Sequence, residues 1–342
     1  MSLLLGLLGV AVFFYIIIYY TVFRGSRCTS QAKLHGKTAV VTGSNTGIGK
    51  ATALDLAKRG ARVILACRSR ERAEAAVYDI RRESGNNQVL FMPLDLSSLQ
   101  SVRDFVKTFL KTEPRLDFLI NNAGVMGGGR TQEGFGMEFG VNHLGHFLLT
   151  LLLLERLKQS APSRVVTVSS MVHLLGHIDF KLLESTKDLV QGDRNTLKNL
   201  QVYAHSKLCN VLFTRELANR LEGTNVSCFC LHPGLVQTEM GRYLGCADDS
   251  CFYSVESCSS WTQKGALRPL CTALFRRDWS LSVAGTSLTV LWHKCLPKEG
   301  TTLWLRNCGR RIKKMPSGAL FFPAVCLSSL FSPFHPVLSC KA

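Results

Sequence analysis

The chain has 342 residues, 46% of them hydrophobic and 19% charged, which excludes a disordered or collagen-like polymer and leaves room for one large folded domain or two small ones. A formal net charge of +17 suits an anionic cofactor, a membrane surface or a nucleic acid equally well, so charge alone decides nothing. Five of the 13 cysteines (Cys28, Cys67, Cys209, Cys228, Cys230) precede Gly245 and the other eight follow it, so the chain changes character there. Their spacings match no zinc pattern, and the first five read as reduced thiols of a cytosol-facing body.

Leu3 to Phe23 is an apolar run of 21 residues. As a helix it would extend about 31 Å at ~1.5 Å per residue, the thickness of a bilayer core. It lacks the basic start and small-residue cleavage site of a signal peptide. Arg24, Arg27 and Lys33 follow it, so the positive-inside rule puts residues 1–24 in the membrane as an anchor and the body in the cytosol.

Beyond a short polar linker, strand-like runs are expected at Thr38–Thr42, Arg62–Ala66, Val89–Leu94, Leu116–Asn121, Arg164–Ser169 and Ser227–His232. Helical patterns fall between them at Ile48–Arg59, Arg70–Arg82, Leu99–Lys111, Val141–Lys158 and Val202–Leu221. Strands that are apolar on both faces and alternate with helices predict an α/β fold, a doubly wound parallel sheet of the Rossmann-like kind.

The first strand runs into Thr42-Gly43-Ser44-Asn45-Thr46-Gly47-Ile48-Gly49 and then a helix. Such a turn lets the backbone approach a pyrophosphate, while the helix N-terminus offers free N–H groups and a positive dipole to it. The second strand ends in Cys67-Arg68, where NAD-specific proteins carry an acid for the ribose hydroxyl. Arg68 would instead grip a 2′-phosphate through its planar fork, which favours NADP(H). Tyr203 and Lys207, four residues apart, share one face of a helix, and Ser170 ends the fifth strand. A phenol is a poor acid at neutral pH, and a neighbouring ammonium with a cationic nicotinamide would lower its pKa toward the working range.

In this order, the motifs resemble the short-chain dehydrogenase/reductase family, and within it the retinol-dehydrogenase-like branch. The resemblance covers about Gly36 to Gly245, a domain at 36–245. It rests on the glycine turn, Asp95-Leu96, Asn121-Asn122-Ala123-Gly124, Asn142, Ser170, Tyr203 with Lys207, and His232-Pro233-Gly234. It implies that Tyr203 is the acid–base, that Lys207 lowers its pKa and holds the ribose, that Ser170 orients the substrate oxygen, and that Asn142 steadies a helix and a water relay behind Lys207. It further implies a cofactor site of Gly43 to Gly49 with Arg68, Asp95 and Leu96 by the adenine, Asn122, Ala123 and Gly124 beside the ribose, and Pro233, Gly234, Val236 and Thr238 near the nicotinamide. The implied substrate is an apolar alcohol or aldehyde, retinol or retinal foremost, at the endoplasmic reticulum. Related enzymes pair through the helices expected at 141–158 and 202–221, so a homo-oligomer is implied and a nucleic acid is not.

Other features read blandly. His143/His146 and His173/His177 have ligand-like spacing but no companion carboxylates or cysteines, so structural roles are expected and no metal. Asn225-Val226-Ser227 is a glycosylation sequon that a cytosolic body would keep from the transferase.

Residues 246–342 break the strand–helix order and lack the Glu-Gly-Ala-Gln-Thr helix and the last strand with which the branch ends. Reading the codons of Trp261 to Val290 one nucleotide earlier permits a close match to both: Trp261-Thr262 forces Asp, and Gln263 to Leu270 permit Pro-Glu-Gly-Gly-Ala-Gln-Thr-Thr. This tail is therefore read as translated out of frame and poorly ordered, its last strand missing or replaced. The expected function is a membrane-anchored NADP(H)-dependent oxidoreductase. The alternative is a catalytically impaired, membrane-tethered nucleotide-binding protein.

Overall fold

The computed structural model describes residues 30–178 and 196–233, together with Phe13 and Leu274. The expected anchor at 1–24 and the tail at 246–342 lie outside these apart from those two residues, as do Gly234, Val236 and Thr238.

Six strands, β1 (Thr38–Thr42), β2 (Arg62–Cys67), β3 (Val89–Pro93), β4 (Phe118–Asn121), β5 (Ser163–Val168) and β6 (Val226–Leu231), form one sheet in the order β3-β2-β1-β4-β5-β6. Every pairing is parallel, and the order reverses between β1 and β4. This is the doubly wound arrangement expected, in which ligands bind outside the carboxyl ends of the strands at the switch point.

Helices α1 (Gly47–Lys58) and α2 (Arg70–Ser84) cover one face around Val41, Leu65, Ile120 and Val166. Helices α3 (Leu99–Thr112), α4 (Met137–Gln159) and α5 (Thr196–Arg220) cover the other around Val40, Leu119 and Val165. Alternation along each strand sends odd and even residues to opposite faces, so one apolar run fills two cores. Helix ends are set locally: Ser69 and Ser98 accept from Arg72 N and Ser101 N, and Gly85 ends α2 with a left-handed φ of 68°.

Helix α4 is long and apolar enough to cross a bilayer, yet it is packed against the sheet as a core helix. It begins at Met137, earlier than the pattern from Val141 suggests, and widens into a π-type turn over Gly140–Gly145 before resuming as an α-helix at His146. At the opposite end of the sheet, buried Asp117 accepts from Thr38 N (2.9 Å), Lys37 Nζ (2.9 Å) and Arg115 Nε and Nη2 (2.7 and 2.6 Å). Burial pushes its carboxyl up, but Arg115, Lys37 and the Thr38 N–H together hold it below the usual range.

Candidate active site

The turn after β1 is folded tightly against the end of β4. Gly43 has φ 61°, and a Cβ there would stand 2.8 Å from Ala123 Cα, while one on Gly49 would stand 2.5 Å from both Asn122 Nδ2 and Gly43 O. Only glycine fits either place. Asn122 Nδ2 donates to Thr42 O (2.9 Å) and Gly43 O (3.2 Å), clamping the turn.

Thr46 is the N-cap of α1 but makes no side-chain cap bond, and the first turn carries no acidic residue. The N–H groups there have no capping side chain, which fits an anion at the positive end of the helix dipole. Ser44 is directed inward: its hydroxyl donates to Val41 O at 2.8 Å and lies 3.6 Å from Cys67 Sγ. Gly47 and Ile48 open α1, and Asn45 is half-buried at the lip of the turn. Arg68 is exposed just past the end of β2. Asp95 accepts from Ser97 N (2.9 Å) and Ser97 Oγ (2.7 Å), whereas the Leu96 side chain belongs to the core. Gly124 and Pro233 are half-buried at the same carboxyl-end rim, following β4 and β6.

The catalytic candidates meet on that rim too. Ser170, two residues past β5, hydrogen-bonds the Tyr203 phenol, which burial pushes up to about 12 against the lowering effect of that bond. Lys207 Nζ lies 5.4 Å from the Tyr203 ring centroid and donates to Val168 O at 3.0 Å. Burial lowers Lys207 to about 8. In the protein alone, then, desolvation dominates the phenol's affinity for its proton, and the Ser170 bond opposes it.

Asn142 sits inside the π-type turn, fully buried. Its Oδ1 accepts from Val125 N (2.7 Å), and its Nδ2 donates to Val125 O and Ser206 Oγ (3.0 Å each). Ser206 in turn donates to Tyr203 O at 2.7 Å, joining α4 to the helix that carries the phenol. His232, before Pro233, is held to about 4 by burial and then by neighbouring His173.

Three residues shape the site in ways that sequence reasoning does not assign: Thr42, which it gives only as the start of the glycine turn, His146, which it gives only a structural role, and Glu138, which it does not single out. Thr42 Oγ1 accepts from Asn122 N (2.9 Å) and Ala123 N (3.0 Å), and the ring of His146 meets it at 2.8 Å. Glu138, buried, accepts from Gly127 N (2.9 Å) and Gly128 N (2.8 Å) and so fixes the loop after β4. Beside its spacing from His143, the local signal that ties His146 to the site is its position one helical turn after Asn142.

The sequence profile of the short chain dehydrogenase family matches residues 37–192. Mouse retinol dehydrogenase 12 is 52% identical over 228 residues, which are 66% of this chain and 70% of that protein. This chain belongs to the short-chain dehydrogenase family. Within it, the bovine dehydrogenase/reductase SDR family member 13 is 57% identical over 239 residues, 70% of this chain. The chain matches 62% of that relative's length, less than two thirds. A short chain dehydrogenase from Shigella flexneri 2a complexed with NADP shares the fold at a TM-score of 0.57 and 23% identity, covering 72% of this chain and 94% of that one.

Proposed function

We propose that this short-chain dehydrogenase is a membrane-anchored oxidoreductase that uses NADP(H) to interconvert an apolar alcohol and its aldehyde, retinol and retinal foremost. The observation that carries this reading is the convergence of Tyr203, Ser170 and Lys207 on the same carboxyl-end rim of the parallel sheet that carries the glycine turn. Gly43 to Gly49 and the uncapped start of α1 would hold the pyrophosphate, Arg68 the 2′-phosphate, and Lys207 the nicotinamide ribose. When bound, the nicotinamide supplies or accepts the hydride.

The chain's own residues handle the proton and the orientation. Ser170 and Tyr203 both present hydroxyls to the substrate oxygen, and the phenol, holding its proton tightly, gives it to the oxygen as reduction proceeds. Lys207 supplies positive charge behind the phenol and limits the cost of leaving a phenolate. Asn142 and Ser206 fix the helix that carries Tyr203. The naming of the similar mouse protein as a retinol dehydrogenase favours an apolar substrate.

The body at 36–245 would face the cytosol from an endoplasmic-reticulum anchor at 1–24. Asn225, exposed in the turn before β6, serves as a reporter, since its glycosylation in microsomes requires the lumen and would overturn this orientation. The codon reading of Trp261 to Val290 favours a second reading, a nucleotide-binding chain impaired by an out-of-frame tail at 246–342. Turnover of all-trans-retinal with NADPH by the full chain, set against Tyr203→Phe, tests both. Turnover that falls about 10²–10⁴-fold in the variant while NADPH binding persists supports the enzyme. NADPH binding without turnover in the unaltered chain supports the impaired form.

A further inference from the structure

The buried hydroxyl of Thr42 accepts two backbone bonds, from Asn122 N (2.9 Å) and Ala123 N (3.0 Å), which leaves it one proton to donate. Its nearest acceptor is His146 Nε2 at 2.8 Å, with Ile120 O more distant at 3.4 Å. On the other side of the ring, Nδ1 lies 3.1 Å from the carbonyl oxygen of Asn142. A carbonyl can only accept, so Nδ1 carries the ring proton and Nε2 is the bare nitrogen that receives the Thr42 proton.

The direction of the whole chain is therefore fixed. It runs from the N–H groups of the loop after β4, through Thr42 and the ring of His146, to the peptide of Asn142. From there the Asn142 side chain continues to Ser206 Oγ at 3.0 Å, and Ser206 to Tyr203 O at 2.7 Å. A protonated ring would break this order, because Nε2–H would face a hydroxyl that already accepts two bonds. Burial and the charge of Lys207 keep the ring neutral, with a pKa held to about 4. Thr42 and Asn142 have no exposed surface and His146 is 2% exposed, so water does not replace these bonds freely.

From this chain of bonds we propose that His146 is a positioning residue, one that locks the Asn142 peptide, and through it the helix of Tyr203, to the two segments that cradle the cofactor. The inference rests on the cofactor site proposed above. It makes the ring the mechanical tie between nucleotide-binding loops and acid–base machinery, with no contact to substrate of its own.

The test uses the full chain with four substitutions and two readouts: NADPH affinity by nicotinamide fluorescence, and kcat and KM for all-trans-retinal at saturating NADPH. His146→Phe keeps the ring's bulk and removes both nitrogens. It should lower kcat about 10- to 100-fold with little change in KM, as expected for a displaced reacting geometry. His146→Asn, whose amide nitrogen can stand in for Nδ1, should recover most of kcat while leaving NADPH affinity weakened. Thr42→Val should weaken NADPH, Thr42→Ser should not, and Thr42→Val combined with His146→Phe should cost less than the sum of the two. Full kcat and NADPH affinity in folded His146→Phe, or additive effects in the double variant, would overturn the proposal. Should His146→Phe fail to fold, Thr42→Val against Thr42→Ser decides: equal kcat in the two overturns it, and a lower kcat in Thr42→Val supports it. Absence of NADPH binding in the unaltered chain would instead overturn the proposed function and take this inference with it.

Discussion

Lys207 Nζ stands 5.4 Å from the centre of the Tyr203 ring and is tied to Val168 O, so the ammonium is held beside the phenol even before any cofactor is bound. Burial brings Lys207 down to about 8 and pushes Tyr203 up to about 12, which spreads the two groups across the alkaline range. Below about 8 both are protonated in the free protein. If the ammonium is needed, kcat/KM for aldehyde reduction should be flat below that value and fall about tenfold per pH unit above it. Lys207→Arg, which keeps its charge, should move the falling limb to higher pH, and Lys207→Met should abolish turnover. A pH–rate profile from pH 6 to 10 checks this.

Arg68 is exposed at the end of β2, free to close on a phosphate beside the glycine turn. Arg68→Asp should reverse cofactor preference, weakening NADPH about 10- to 100-fold and tightening NADH, because a fork-shaped cation is replaced by an acceptor for ribose hydroxyls. Titration of both cofactors against the purified chain measures it. Tighter binding of NADH than NADPH by the unaltered chain, with no change in the variant, contradicts the assignment.

Two histidines in α4 make the fold acid-sensitive. Burial lowers His143 to about 3 and His146 to about 4, well under the ordinary imidazole value of 6.5. Below 6.5 the unfolded chain takes up protons that the folded one refuses, so stability is intact above that pH and declines as pH falls toward 4. The slope is about 1.4 kcal/mol per histidine per pH unit. Urea midpoints should therefore fall between pH 6.5 and 4.5, and less steeply in His146→Asn.

Asp117 gives the opposite end of the sheet a separate acid window. Its carboxyl is held below the usual carboxylate range, so its contribution is complete above about pH 4 and disappears as pH falls through the depressed value. Asp117→Asn should cost about 2 kcal/mol at neutral pH, a figure reduced because Lys37 and Arg115 keep side-chain exposures of 33% and 40%. Urea unfolding at pH 7 measures the loss, and NADPH affinity should stay unchanged because the cluster lies far from the carboxyl ends of the strands.

What the sequence discloses of this fold follows the range of the interactions. β1 matches its expected span, Thr38–Thr42, because a short, doubly apolar run followed by a glycine turn is a local signal. The proximity of Tyr203 and Lys207 is legible from helical spacing alone. The pairing of Thr42 with His146 is not, since 104 residues separate them and only the packing of α4 across the switch point brings them together. Nor does composition foretell the π-type turn, whose glycines at 140 and 145 resemble ordinary helix-weakening residues. The inward turn of Ser44 is likewise set by Val41 and Cys67, which belong to two different strands.

The widened turn at Gly140–Gly145 works as a gearbox in α4. An α-helix advances about 100° per residue, so one extra residue in a single turn rotates everything downstream by roughly that amount relative to what precedes it. Upstream, Glu138 faces the loop after β4; downstream, Leu148, Leu149 and Leu153 face the core. Closing this turn into a regular α-helix with all its residues kept would swing the leucine-rich half by about that angle away from the sheet, whereas deleting one residue would straighten the helix and leave that half in place. The width of this one turn is thus what keeps both halves of α4 on their partners while the chain carries its surplus residue.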